Sequence, residues 1–231
     1  MPDINIKYND HSIASAFNDH YIVPDYQREY VWKDEQVEQL LADLLEAYEV
    51  DNKKPYFLGT IVTYNTTFFL MLCAVKHLYK KLGEQTALVE NLIYSLTMDS
   101  EGNQFHSYHL QLQYEDAGNC LELIEKGTKK PAELTQSGEL LFGAYELIYN
   151  FLEEKFSDLT QLRKFVAFLL NVTSFIRIET HDITDALKIF ETINQRGKGL
   201  DPMDLLKNMV FRQVDRSKFK ELNMNWREIT K

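Results

Sequence analysis

Apolar residues recur along this chain in two rhythms, one helical and one of period two. Val37, Leu40, Leu41, Leu44, Leu45 and Tyr48 fall at helical spacing and predict a helix that packs one face. Asp34 is the expected N-cap, with Glu35 suited to the positive first turn. Thr67 to Leu82 is a strongly apolar helix, and Lys80, Lys81 and Gly83 form its C-terminal signal. A further helix is expected over residues 84–95, and a short one over Ile13 to Phe17. Tyr21-Ile22-Val23-Pro24 reads as extended, because a proline biases the residue before it away from helix. Tyr56 to Thr63 is rich in strand formers. From Phe105 to Tyr114 the period becomes two, with Tyr108, Leu110, Leu112 and Tyr114 on one face and His109, Gln111 and Gln113 on the other.

Beyond Ala117 the pattern is mainly helical. Ser137 is the expected cap of a long helix through Phe156, and Ser157 or Asp158 caps the next. Asn171 to Ile178 is a late strand. Asp182 or Thr184 opens a helix through Ile193, and Asp201-Pro202-Met203-Asp204 carries the signature of a helix start. The fold class is therefore α+β.

Composition bounds what such a fold can do. The 231 residues are 45% apolar and 26% charged, enough to bury a core in one large or two small domains. The formal net charge is −10, so the chain as a whole has no basic surface with which to grip DNA. Any nucleic-acid contact needs a local basic site or another domain. Cys73 and Cys120 are too few and too far apart for a disulfide framework or a zinc pattern, and Cys73 sits in a core-like apolar run. The opening residues show no signal-peptide pattern, and the longest apolar run, Phe68 to Val75, is far too short to span a bilayer. A cytoplasmic protein with no membrane partner is expected. The last residues carry no terminal signature, which suits a piece of a longer chain.

Two stretches carry candidate chemistry. In Pro24-Asp25-Tyr26-Gln27-Arg28-Glu29-Tyr30-Val31-Trp32, a planar cation and an amide stand among aromatic rings. An Arg fork can bind phosphate at two points while the rings stack a base or brace the Arg. Equally, Arg28 can pair with Glu29 or Asp25 while the rings fill core. In Asn194-Gln195-Arg196-Gly197-Lys198-Gly199, two glycines allow close backbone approach and two cations favour an anion. Against that, Asp201 and Asp204 occupy the next helix start and repel one. No P-loop, GxGxxG, HExxH or GxSxG pattern occurs. His106 and His109 lie three apart on a strand and point to opposite faces, a poor start for a metal site. The many carboxylates read as a solvated surface.

Together these stretches resemble a known family. Ile22 to Trp32, an amphipathic helix, and then Tyr56-Phe57-Leu58-Gly59-Thr60-Ile61-Val62 resemble the opening of the N-terminal domain of GmrSD-type restriction proteins. Ala186 to Gly197, followed by Leu200, Asp204, Leu205, Leu206, Lys207 and Asn208, resembles its second hallmark. The resemblance implies a small mixed sheet related to ParB and sulfiredoxin with a large added helical region. On that basis residues 1–115 form a ParB-like α+β core, and 116–231 form a mainly helical region whose late strand completes the same domain. It further implies a role in bacterial defence against foreign or modified DNA and a nucleoside triphosphate with Mg2+ as ligand. The expected partners are DNA and a C-terminal HNH-type nuclease domain lying outside this chain, and homo-oligomer formation stays open. By the same resemblance Tyr26, Gln27 and Arg28 line a nucleotide or phosphate pocket, and Asn194, Arg196 and Lys207 face it or hold the loop that does.

One departure bears on activity. The family carries a second short strand ending in Asp-Gly-Gln-Gln-Arg-Leu-Thr-Thr before the apolar helix. Here Ile61-Val62-Thr63-Tyr64-Asn65 runs straight into Thr66-Thr67-Phe68, which retains only the Thr pair. Phosphoryl transfer needs charge neutralisation and a positioned water, and the missing loop carries the groups for both. Three readings follow: a nucleotide- and DNA-sensing domain impaired in hydrolysis, a non-enzymatic interaction module, or a ParB-like DNA-binding or nuclease domain.

Overall fold

A computed structural model describes residues 7–24, 29–60, 65–114 and 117–179, together with a few separate positions between 210 and 226. The fold is α+β. Its elements in chain order are β1 (Lys7–Ser12), α1 (Ile13–Ala16), β2 (Tyr21–Val23), α2 (Asp34–Asp51), β3 (Tyr56–Thr60), α3 (Asn65–Lys81), α4 (Ala87–Ile93), β4 (Tyr94–Met98), β5 (Gln104–Tyr108), β6 (Leu110–Leu112), α5 (Cys120–Glu125), α6 (Gln136–Lys155), α7 (Leu159–Asn171) and β7 (Thr173–Glu179).

The main sheet is small and mixed, in the order β1-β7-β3. β7 runs antiparallel to β1, with Lys7 opposite Glu179 and Ser12 opposite Ser174. It runs parallel to β3, with Tyr56 opposite Thr173 and Thr60 opposite Ile176 across an irregularity. The expected late strand is thus the central one. Two further pairs stand apart: parallel β2–β6 and the antiparallel hairpin β4–β5.

α3 is the axis of the helical part. Phe68 through Val75 are all buried, so this stretch is enclosed on every side, as a helix that is apolar all round must be. α6, α4, α5 and β6 pack around it. Each large side chain fully buried here contributes about 1.5–3 kcal/mol. α2 shows the opposite pattern. Val37, Leu40, Leu41 and Leu44 are buried on one face, at the spacing the sequence predicts. Gly83 ends α3 in the left-handed region at φ 74. Its N–H donates to the Lys80 carbonyl (3.3 Å) and that of Glu84 to the Tyr79 carbonyl (2.8 Å), closing a Schellman turn.

Several local expectations shift. Asp34 is the first helical residue rather than the cap. Lys33 holds the cap position, and its N–H donates to the Gln36 side chain (2.9 Å). Thr135, not Ser137, caps α6 by accepting from the Gly138 N–H (3.1 Å), while Ser137 is buried inside the first turn. Of the two candidates for α7, Asp158 is the cap. The helix expected over 84–95 ends at Ile93, and Tyr94 turns into β4. The strand expected from Phe105 to Tyr114 is broken at His109. That residue does not sit on a polar outer face. It is buried, with its backbone N–H donating to the Ile93 carbonyl (2.9 Å) and its carbonyl accepting from Tyr21 (2.7 Å). The expected helices after Thr180, and the end of the expected strand at 61–63, lie outside the described residues.

Candidate functional site

Two strand exits share one end of the main sheet. The chain leaves β3 at Thr60 and leaves β7 at Glu179, and because these strands are parallel both exits lie at the same sheet end. β3 is followed by residues 61–64 and then by α3, so the first turn of α3 belongs to the β3 exit. The second hallmark begins at Ala186, beyond the end of β7 and outside the described residues. Tyr30, which lies in the first hallmark, is bound to that same first turn. Its hydroxyl shares a hydrogen bond with the buried Thr67 hydroxyl (3.2 Å), and its backbone N–H donates to the Tyr114 hydroxyl (3.3 Å). Burial pushes the Tyr30 phenol well above its ordinary pKa and that of Tyr114 up to about 12, so both remain neutral hydroxyls. Asn65 and Thr66, where the family loop would be inserted, are the first two residues of α3. The candidate residues Tyr26, Gln27, Arg28, Asn194, Arg196 and Lys207 all lie outside the described residues, as does the expected approach of Arg28 to the loop at 194–199.

The other end of α3 holds a groove of about 490 Å³ that the sequence patterns did not point out. Lys76, Lys80 and Lys81 reach it from α3, Lys126 from the end of α5, and Tyr94 and His106 from the β4–β5 hairpin. Behind its wall lies a buried polar hub. Glu125, only 3% exposed, pairs with Lys76 and accepts from the Tyr108 hydroxyl (2.9 Å). Burial pulls the Lys76 ammonium down, but the hydrogen bond and charge of Glu125 outweigh it and hold its pKa above the ordinary lysine value. His77 stands between the Tyr145 hydroxyl (2.7 Å at Nδ1) and the Glu125 carbonyl (2.9 Å at Nε2). The carbonyl can only accept, so Nε2 carries the proton and Nδ1 accepts from Tyr145. Burial lowers the pKa of this imidazole, in keeping with a neutral ring.

Glu125 is a buried exception to the expectation that most carboxylates form a solvated surface. The signal for the groove was present in the i, i+4 spacing of Lys76 and Lys80, which places both on one helix face. Nothing in the sequence shows that Lys126 and the hairpin meet them there.

His106 and His109 take separate roles. The His106 ring stacks on Tyr94, with centroids 3.9 Å apart and planes within 8°. His109 Nδ1 faces the carbonyls of Phe17 (2.5 Å) and Leu92 (3.1 Å), and its Nε2 faces the Ser95 hydroxyl (2.7 Å). Among the described residues no group of three or more His, Cys, Asp or Glu converges in a way that could hold a metal ion. Cys73 and Cys120 are both buried and unpaired with each other. No helix among the described residues is long and apolar enough to cross a membrane.

Comparison with known proteins adds one result. No curated protein matches the chain. A family model described as the GmrSD restriction endonuclease N-terminal domain matches residues 11–211. That match takes in β2, β3, α3 and β7 as well as both sequence hallmarks. The chain belongs to the GmrSD restriction endonuclease N-terminal domain family.

Proposed function

We propose that this chain is the nucleotide- and DNA-sensing part of an anti-phage restriction system, and that it hydrolyses nucleotides poorly or not at all. One observation supports a shared site most directly: the Tyr30–Thr67 hydrogen bond ties Tyr30 of the first hallmark to the helix start that follows the β3 exit. In sequence, the second hallmark follows β7, the parallel neighbour of that strand, whose exit lies at the same sheet end. In this reading Tyr26, Gln27 and Arg28 contact a nucleoside triphosphate from one side, and Asn194, Arg196 and Lys207 from the other. The two arginines and the lysine supply positive charge for phosphates and the amides supply hydrogen bonds. Bound Mg2+ would add charge neutralisation between phosphates.

What is missing is the Asp-Gly-Gln-Gln-Arg loop between Asn65 and Thr66. Without its carboxylate, amides and Arg, binding can persist while turnover fails. DNA enters through the rest of the restriction system, including a C-terminal nuclease domain, because a net charge of −10 gives this part little general attraction for phosphate backbones.

The test compares the purified chain with a version carrying the loop between Asn65 and Thr66. Nucleotide binding is measured by calorimetry and turnover by phosphate release. Both versions are expected to bind, with Arg28→Ala weakening binding about tenfold or more, and only the loop-bearing version is expected to turn over. Steady hydrolysis by the chain as it stands, lost on Arg28→Ala, would overturn the assignment of the defect to the loop.

A further inference from the structure

We propose that the groove at the C-terminal end of α3 is a second ligand site, for a free nucleoside phosphate. Lys80 lies about 20 Å along the helix from Thr67, so this is not the family site described above, and the proposal does not rest on it.

The case begins with charge. The groove is lined by four lysines and one glutamate, in a chain whose net charge is −10. Glu125 already neutralises Lys76, with Glu90 a further 3.7 Å partner. The other three are available. Lys80 has no carboxylate partner among the described residues. Lys81 pairs with Glu153 and Lys126 with Glu122 at 2.5 Å, but these pairs are exposed and so weakly held. An incoming phosphate competes with such partners on favourable terms, since a doubly charged oxyanion makes stronger hydrogen bonds than one rim carboxylate.

Two helices end at the groove, and their last carbonyls would repel an anion if left bare. They are not bare. Gly83 closes the end of α3, and Gly127 closes α5 with N–H bonds from Gly127 to Ile124 (3.0 Å) and Thr128 to Leu123 (2.9 Å). A side chain at Gly127 would begin 3.5 Å from the His77 ring, so the backbone approaches the groove closely here.

The aromatic wall supplies the second element. Tyr94 and His106 lie in one stacked plane pair across the hairpin, and Lys76 Nζ lies 5.7 Å from the Tyr94 ring centroid. His106 is exposed, so the pair presents ring surface rather than core. Lysines beside a planar aromatic wall suit a ligand that is flat at one end and anionic at the other. A groove of about 490 Å³ holds one nucleotide and not a run of them. That size, with the acidic chain around it, favours a free nucleotide over a strand.

The experiment uses the full chain at low ionic strength, with calorimetry against adenosine monophosphate, pyrophosphate and a single-stranded oligonucleotide. Adenosine monophosphate is expected to bind, and Lys80→Glu is expected to weaken it and pyrophosphate alike by about tenfold. His106→Ala is expected to weaken the nucleotide about fivefold or more while leaving pyrophosphate unchanged, because only the nucleotide has a ring to stack. Photolabelling with an azido-adenosine monophosphate should mark the peptide carrying His106. Both groove substitutions are at exposed positions, and unchanged circular dichroism melting would show that the fold survives them. No effect of Lys80→Glu or His106→Ala on binding would overturn the site. So would labelling confined to other peptides, or tighter binding of the oligonucleotide than of the mononucleotide.

Discussion

At its first turn α3 is held by neutral hydroxyls, and at its last turns by charges. Thr67 meets Tyr30 through a single hydrogen bond between two groups that stay uncharged. Lys76 and His77 meet Glu125 through an ion pair and a hydrogen-bonded imidazole, with Tyr108 and Tyr145 completing the network. Eight consecutive buried residues separate the two ends. The difference teaches where each end can fail. A neutral bond can be removed from both sides at small cost, whereas a buried charge cannot lose its partner without leaving an uncompensated ion.

Removing Glu125 should therefore have the largest effect. Glu125→Ala is expected to cost about 3 kcal/mol in urea unfolding, the low end for a buried pair because Lys76 keeps some contact with solvent. Replacing Lys76 by Met together with Glu125 by Leu should recover most of that loss. If the single substitution costs no more than a surface change, the polar end is not held as described.

Acid should act next. Burial lowers the folded-state pKa values of His77 and His109, so the folded chain binds fewer protons than the unfolded chain just below the ordinary value. The contribution of these neutral rings is complete above about pH 6.5 and is lost as the pH falls through the lowered folded values. Unfolding at about pH 7.5 and about pH 5.5 should show the decline, in a range where ordinary carboxylates stay ionised. His109→Gln should lower stability at the higher pH yet flatten the slope. A slope unchanged by that substitution would remove His109 from the account.

The hydroxyl end predicts a smaller effect. Tyr30→Phe leaves the buried Thr67 hydroxyl without this partner and should cost about 1–2 kcal/mol. Adding Thr67→Val should restore much of it, and a double-mutant cycle measures the coupling. Smallest of all, Lys81→Ala should leave the melting temperature where it was, because its pair with Glu153 is exposed.

The elements most legible in the sequence are those whose burial follows a simple period. Val37, Leu40, Leu41 and Leu44 give α2, and the apolar run from Phe68 gives α3. β4 was less legible although Tyr94, Leu96 and Met98 alternate with Ser95 and Thr97, because it follows α4 without a break and Leu96 and Met98 are exposed. Periodicity places a glutamate or histidine on the polar face by residue type. Glu125 and His109 are buried because particular partners far along the chain satisfy them, and partner geometry is not written in local spacing. The same limit applies to the groove, whose lysines and rings come from four separate elements. The hallmarks behaved differently. Their residue types and order were enough to identify the family, while the six residues proposed for the nucleotide site remain an inference from that membership.

The central position of β7 sets a timetable for synthesis. β1 and β3 are made early, yet in the main sheet both pair only with a strand made much later. Until that strand leaves the ribosome, the two early strands have open edges and nothing between them. Closing so long a loop is slow, and unpaired edges invite pairing with other chains. The helical part around α3 relies on contacts nearer in sequence and can gather first, leaving the main sheet as the last piece to assemble.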